Sequence, residues 1–338
     1  MNTVIFCFSD SGARLALRLS KVLELPGGCI HSNKRFADIY GFSAHESVFD
    51  DMGALFREND ALIFIGACGI AVRAVAPHIK SKLTDPAVLV IDDRGSFVIP
   101  LLSGHIGGGN ELARQVADLL NATAVITTAT DIEGRFSCDA WAARNDCAVS
   151  SMDLAKEVSA AILTRDIPVS SGYELPESLP EGLIHGETGE LGIYIGEELS
   201  EPYSRTLRLI PRTISVGIGC RRGTAKEAIL NAVSQVFKDN DMDIRAIKHL
   251  ASIDIKRNET GLREAAEELH APTVFFTADE LNAARGEFSE SDFVRNTVGT
   301  GNVCGRAAVL SGGKLIVHKT ALNGVTVALA REDRRIEL

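Results

Sequence analysis

No stretch of this chain pairs cysteines as C-x-x-C, and its seven thiols (Cys7, Cys29, Cys68, Cys138, Cys147, Cys220 and Cys304) are odd in number and scattered. That pattern argues against a disulfide framework and against a zinc site, fits reduced thiols and signals no protein-held metal. Positive charge is also in deficit: 35 Lys and Arg stand against 45 Asp and Glu, a formal net charge of -10. Such a surface repels a polyanion overall, so nucleic acid is not an expected partner. Long apolar runs are missing as well. Residues 1–12 carry no basic start and Asp10 interrupts the early apolar stretch, so neither a signal peptide nor a membrane span is expected and the reading places the protein in the cytoplasm. What remains is globular: 338 residues, 45% hydrophobic and 24% charged, enough for two or three domains.

The pattern along the chain is one of strand, glycine turn and helix. Thr3–Phe8 is followed by Ser9-Asp10-Ser11-Gly12 and a helical stretch to Leu23; Ala61–Ile65 is followed by Gly66-Ala67-Cys68-Gly69 and a helix that Pro77 stops. A helix is also expected near Val48–Arg57. With Val88–Ile91 and Ala124–Thr127 as further buried strands, these units predict a parallel sheet covered by helices, with a crevice at the carboxyl ends of the strands. The whole reads as α/β: an N-terminal parallel-sheet domain over 1–135, a small middle α/β module over 136–212, and a C-terminal α/β domain over 213–338. In the middle module a helix over Asp153–Leu163 and strands at Ile167–Ser170, Gly192–Ile195 and Thr206–Ile210 surround a Pro-, Glu- and Gly-rich stretch.

The stretch with most chemistry is Val98–Arg114, VIPLLSGHIGGGNELAR. A strand that breaks into glycines before a helix leaves backbone N–H groups at the positive end of the helix dipole, where an anion can approach. His105 stands at that opening and can exchange a proton near neutral pH, with Glu111, about one helical turn on, as a partner. The alternative is a glycine turn with a histidine bonded to backbone. On this reading the glycine turns at 9–12, 66–69 and 104–109 lie on one sheet edge, with Arg73, His78, Asp92, Asp93 and Arg94 nearby. Solvated helix face for Arg73 and a plain hairpin turn for Asp92-Asp93-Arg94-Gly95 are the competing readings.

After Pro211 a second α/β pattern opens with Ile214–Ile218, a turn over Gly219–Thr224 and a helix over Ala225–Phe237, for which Thr224 with Glu227 has capping-box spacing. Gly217, Gly219 and Gly223 spell G-x-G-x-x-x-G, one residue longer than a dinucleotide fingerprint and without a clearly placed acidic residue downstream.

Taken together, Gly66–Arg73, Pro100–Gly108, Thr127–Asp131, Gly217–Gly223, Ala251–Lys256 and Glu259–Leu262 resemble the cobalt-precorrin-5A hydrolase family of the anaerobic corrin pathway, in the right order over almost the whole chain. The resemblance implies hydrolysis of the ring A lactone of a cobalt-containing tetrapyrrole, with release of the two-carbon bridge as acetaldehyde. It implies no cofactor of the protein's own, because cobalt arrives in the substrate. Other corrin-pathway enzymes are the partners it allows; membrane and nucleic acid are not expected, and the oligomeric state stays open. His105 then suits proton transfer, with Glu111 or Asp131 as partner. Gly66, Gly69, Ser103, Gly104, Gly107, Gly108 and Gly219 become close-approach or N–H positions, and Arg73, Arg221, Arg222 and Lys256 clamps for substrate carboxylates. Two rival readings remain: a nicotinamide-dependent oxidoreductase built on the C-terminal glycines, and a carrier that holds a corrinoid without turnover.

Overall fold

The computed structural model describes residues 1–47, 51–81, 84–105 and 107–338, of which 130 and 131 are described by their backbone alone. The protein is mixed α/β, with three sheets among the described residues. By its contacts it divides into two compact units, Met1–Arg144 with Ile162–Thr164, and Asn145–Ala161 with Arg165–Leu338.

The first unit holds a seven-stranded sheet of order β3-β2-β1-β4-β5-β6-β7, from Thr3–Cys7 (β1), Ile30–Asn33 (β2), Ser43–His45 (β3), Ala61–Ile65 (β4), Ala87–Ile91 (β5), Phe97–Leu102 (β6) and Thr123–Ala124 (β7). β1, β4 and β5 are buried along their whole length, as strands covered on both faces must be. Alternate residues face two cores: Ile5, Ile63, Ile65, Leu89 and Ile91 meet the helices Asp10–Val22 (α1) and Gly109–Leu120 (α5) on one side. On the other, Phe6, Leu62, Phe64 and Val90 meet Met52–Glu58 and Cys68–Val75. The helix expected near Val48–Arg57 thus runs over Met52–Glu58, and residues 48–50 lie outside the described residues.

Two expectations fail in this sheet: the buried strand expected at Ala124–Thr127 is only the short, unburied β7, Thr123–Ala124, and the sheet is not wholly parallel. β1 to β5 run parallel, but β6 is antiparallel to β5, with Ile91 opposite Val98 and Val88 opposite Leu102. The cause is local. Asp92 accepts N–H bonds from Ser96 and Phe97, each 2.7 Å, and Gly95 takes a positive φ of 70°, which closes a hairpin. The plain-turn reading of Asp92-Asp93-Arg94-Gly95 is therefore the correct one. It also sends the glycine run after β6 to the edge opposite the turns 9–12 and 66–69.

The second unit carries two five-stranded sheets. One has the order β10-β9-β11-β12-β8, from Cys147–Val149 (β8), Ile167–Ser171 (β9), Leu183–His185 (β10), Leu191–Ile195 (β11) and Arg205–Pro211 (β12). The other has the order β15-β14-β13-β17-β16, from Ile214–Cys220 (β13), Ile247–Ile253 (β14), Thr273–Phe276 (β15), Lys314–Leu322 (β16) and Val325–Arg331 (β17). β13, β14 and β15 are parallel, while β17 runs antiparallel to β13. The helix Lys226–Asp239 buries Ile229, Val233, Val236 and Phe237 against this sheet. It starts later than the sequence suggests, with Ala225 as its uncapped start; the Thr224 hydroxyl bonds back to the carbonyl of Arg221, so no capping box forms.

Gly217 explains part of the G-x-G-x-x-x-G pattern. A β-carbon there would stand 1.8 Å from the Cys304 carbonyl oxygen, so this glycine lets the helix Val303–Gly312 lie directly on β13. That is a packing role, and it removes the main support for a nicotinamide site.

Candidate functional site

The loop after β6 is built around its own carbonyls. Ser103 takes a positive φ of 55° and its hydroxyl donates to the Asp85 carbonyl at 2.8 Å. The N–H groups of Gly108, Gly109 and Asn110 then donate to the carbonyls of His105, Ser103 and Gly104, at 2.9, 3.0 and 2.8 Å. Three of the donors expected to point outward at the start of α5 are thus already engaged, because the loop folds back on its own carbonyls. Gly108 is the N-cap of α5 with φ 73°, a left-handed conformation that glycine adopts without strain.

His105 meets a carboxylate that the sequence did not single out. Its Nδ1 lies 3.2 Å from Asp139 Oδ1, on the helix Cys138–Arg144. Asp139 is buried and also accepts from the Ser137 hydroxyl at 2.8 Å and the Ala140 N–H at 3.0 Å. A carboxylate only accepts, so the Asp139 contact favours a His105 proton on Nδ1. The side chain of Glu111 is 63% exposed and pairs with Arg114 at 3.6 Å. The side chain of Asp131 lies outside the described residues. Beside the pair, buried Asn110 donates to Thr128 Oγ1 at 2.9 Å.

Gly66, Gly69 and Arg73 lie at the carboxyl edge of the sheet, away from His105. There Ser9 caps α1 through Gly12 N–H at 2.9 Å and donates to Asp93 at 2.6 Å. Arg73 is exposed, and its guanidinium lies over Gly69, 3.4 Å from where a β-carbon would stand.

The C-terminal candidates do come together. A cavity of about 540 Å³ opens at the carboxyl ends of β13 and β14, lined by Gly219, Arg221, Arg222, Lys256 and Lys319 among others. Its size lies in the range of small-molecule sites, roughly 300–1,000 Å³. The apolar wall comes from Ile253, Ile255 and the helix Asp292–Val298, which contributes Phe293, Val294 and Val298. Phe293 is 79% exposed, an apolar ring turned to solvent beside cations. Glu259 holds the turn before this cavity: it accepts the Gly223 N–H at 2.9 Å and pairs with Lys256 at 3.4 Å. The Gly223 bond, with Lys256 and Arg222 adding to it against desolvation, keeps its carboxyl below the usual range.

Sequence reasoning missed Asp139 and the helix Asp292–Val298. Asp139 stands in the first turn of the helix Cys138–Arg144. The helix Asp292–Val298 carries faint end signals, a Ser291 cap and the left-handed Gly299.

Two family models match the chain: "Cobalamin synthesis G N-terminal" over residues 50–131 and "Cobalamin synthesis G C-terminus" over residues 214–330. Both halves thus fall in one class of cobalamin-synthesis proteins. The cobalt-precorrin-5A hydrolase of Salmonella typhimurium is 35% identical over 360 residues, covering 97% of this chain and 99% of that protein. That of Priestia megaterium is 31% identical, covering 83% and 81%. The chain belongs to the cobalt-precorrin-5A hydrolase family, hydrolases of anaerobic cobalamin biosynthesis. A solved cobalamin biosynthesis protein G homolog from Sulfolobus solfataricus aligns over 98% of this chain and 97% of its own at 23% identity, with a TM-score of 0.41.

Proposed function

We propose that this chain hydrolyses the ring A lactone of cobalt-precorrin-5A and releases the two-carbon bridge as acetaldehyde, leaving cobalt-precorrin-5B. The observation that carries the assignment is the cavity at β13 and β14. Its apolar wall suits the face of a macrocycle, and Arg221, Arg222, Lys256 and Lys319 suit the carboxylates around a macrocycle's edge.

The chemistry sets three tasks. Water adds to the ester carbonyl and loses a proton, the lactone C–O bond breaks, and the alcohol oxygen takes a proton. The freed carbinol then loses its O–H proton as the carbon–carbon bond cleaves, and the ring carbon takes a proton in its place. A histidine held in one tautomer by a carboxylate suits this shuttling, so we assign it to His105 with Asp139 as its positioning partner. Asp131 stays a candidate for the same task. Arg73 and the Gly66 and Gly69 turn form a separate place for an anionic arm at the carboxyl edge of the first sheet.

Among the described residues no helix is long and apolar enough to cross a membrane, and we place the reaction in the cytoplasm. The test is anaerobic incubation of purified protein with cobalt-precorrin-5A, with acetaldehyde trapped and quantified. One equivalent per macrocycle is expected. Tight binding without acetaldehyde overturns the hydrolase reading in favour of a carrier.

A further inference from the structure

The first unit holds a second histidine–carboxylate chain, on neither side of which the residues singled out above lie. His31 on β2 and His45 on β3 are adjacent in the sheet, with Nδ1 of His31 2.6 Å from Nε2 of His45. Nδ1 of His45 lies 3.1 Å from Oδ2 of Asp51, at the start of the helix Met52–Glu58. The proton positions follow in order. Asp51 only accepts, so His45 carries its proton on Nδ1 and accepts at Nε2; His31 therefore donates from Nδ1, and its Nε2 is a lone pair.

His31 is 9% exposed and packs against the ring of Phe6, with centroids 5.4 Å apart. Burial first, and then the neighbouring His45, push its pKa down to about 4 against the opposing pull of Asp51. The lone pair is thus present at neutral pH. Both rings line a cavity of about 30 Å³ with Phe6, Phe8, Ser32 and Asn33. A water needs roughly 10–15 Å³ of such space, so the cavity suits a water or the hydroxyl end of a small group. The outlet is the Asp51 side chain, which is 66% exposed.

We propose that Asp51, His45 and His31 form a proton relay whose base, Nε2 of His31, serves a water or hydroxyl group in this cavity. The oxygen gives its proton to Nε2 of His31, the Nδ1 proton of His31 crosses to Nε2 of His45, and the Nδ1 proton of His45 passes to Asp51 and on to solvent. One proton enters, one leaves, and nothing is oxidised or reduced. The relay lies on strands at the opposite side of the sheet from β6, so it is a group distinct from His105. Its use in turnover rests on the hydrolase reading, whose chemistry needs two proton abstractions from oxygen.

The test uses full-length protein labelled with 15N in histidine. Two-bond 1H–15N spectra at neutral pH are expected to show His31 protonated on Nδ1 and bare on Nε2, and His31 with its proton on Nε2 overturns the relay. With cobalt-precorrin-5A, His31→Gln is expected to slow acetaldehyde release about a hundredfold or more, the usual worth of a proton-transfer group, at unchanged KM. Asp51→Asn, at the exposed end, is the variant that spares the core; it is expected to lower kcat several-fold, with Asp51→Glu restoring it. Wild-type kcat in folded His31→Gln and in Asp51→Asn overturns the proposal. If the wild-type protein itself releases no acetaldehyde, the hydrolase reading fails and the tautomer spectra alone decide the relay.

Discussion

His105 Nδ1 and Asp139 Oδ1 stand 3.2 Å apart, linking the loop after β6 to the first turn of the helix Cys138–Arg144. Ser137 and the Ala140 N–H hold the same carboxylate oxygen from two further directions. The carboxylate oxygen is thereby held in place, and as an acceptor it favours a proton on His105 Nδ1.

The pair makes a selective prediction. His105→Asn is expected to lower kcat by about a hundredfold or more with substrate affinity nearly kept. Asp139→Asn presents an amide to Nδ1, favours the other tautomer and is expected to cost at least a comparable factor. Glu111→Gln is expected to stay close to wild type, since Glu111 is exposed and meets Arg114 instead. Steady-state kinetics of the three variants check this; a Glu111→Gln loss that exceeds the Asp139→Asn loss returns the role to Glu111.

Gly108 separates backbone strain from anion binding. Nothing lies within 4 Å of an added β-carbon there, but φ is 73°. Gly108→Val is therefore expected to destabilise by about 1–3 kcal/mol, the cost of a strained backbone position. Gly108→Asn, which tolerates the left-handed region, is expected to keep both fold and turnover. Thermal unfolding with acetaldehyde assays at a temperature where all three proteins are folded reads both. Lost turnover in folded Gly108→Asn points to an anion at this loop after all.

These particulars show where sequence reading works. The apolar runs at 61–65, 88–91 and 214–218 declare buried strands because both of their faces are covered, and short-range patterning suffices for that. The direction of β6 hangs on one four-residue turn, in which Asp92 serves a hairpin as readily as a site, so the edge on which His105 lies is not legible. Asp139 and His31 meet their partners through tertiary contacts that no spacing encodes. Arg221, Arg222 and Lys256 are legible as cations, yet only the fold puts them round one cavity beside Phe293.

Arg221→Gln with Arg222→Gln is expected to raise KM much more than it lowers kcat. Cations that hold distant carboxylates bind ground and transition states alike, and their loss is uniform. Phe293→Ala is expected to act in the same direction through lost apolar contact. Unchanged KM in both variants removes the cavity as the macrocycle site.

Stability is expected to fall in two steps with acid. His31 has a folded pKa of about 4, while a free histidine titrates near roughly 6.5. Between those values the unfolded chain holds a proton that the folded one refuses, so stability is full above the upper value and declines as pH drops toward the lower. Asp243 behaves as a paired carboxylate. Burial raises its pKa, but bonds from Arg245 at 2.7 and 2.9 Å and the Arg208 guanidinium at 3.0 Å outweigh burial and hold it low. Its contribution is present above roughly pH 4, the unfolded carboxylate value, and is lost as pH falls further. The chain's one tryptophan, Trp141, is buried in the first unit and reports the His31 step by fluorescence; circular dichroism reports both steps. His31→Gln is expected to flatten the upper decline alone. Asp243→Asn is expected to cost on the order of 3 kcal/mol at neutral pH, because it leaves Arg208 and Arg245 without their counter-charge, and to flatten the lower one. Urea midpoints from pH 8 to 3 measure this, and a wild-type curve that stays level from pH 6.5 to 4.5 contradicts the buried neutral state of His31.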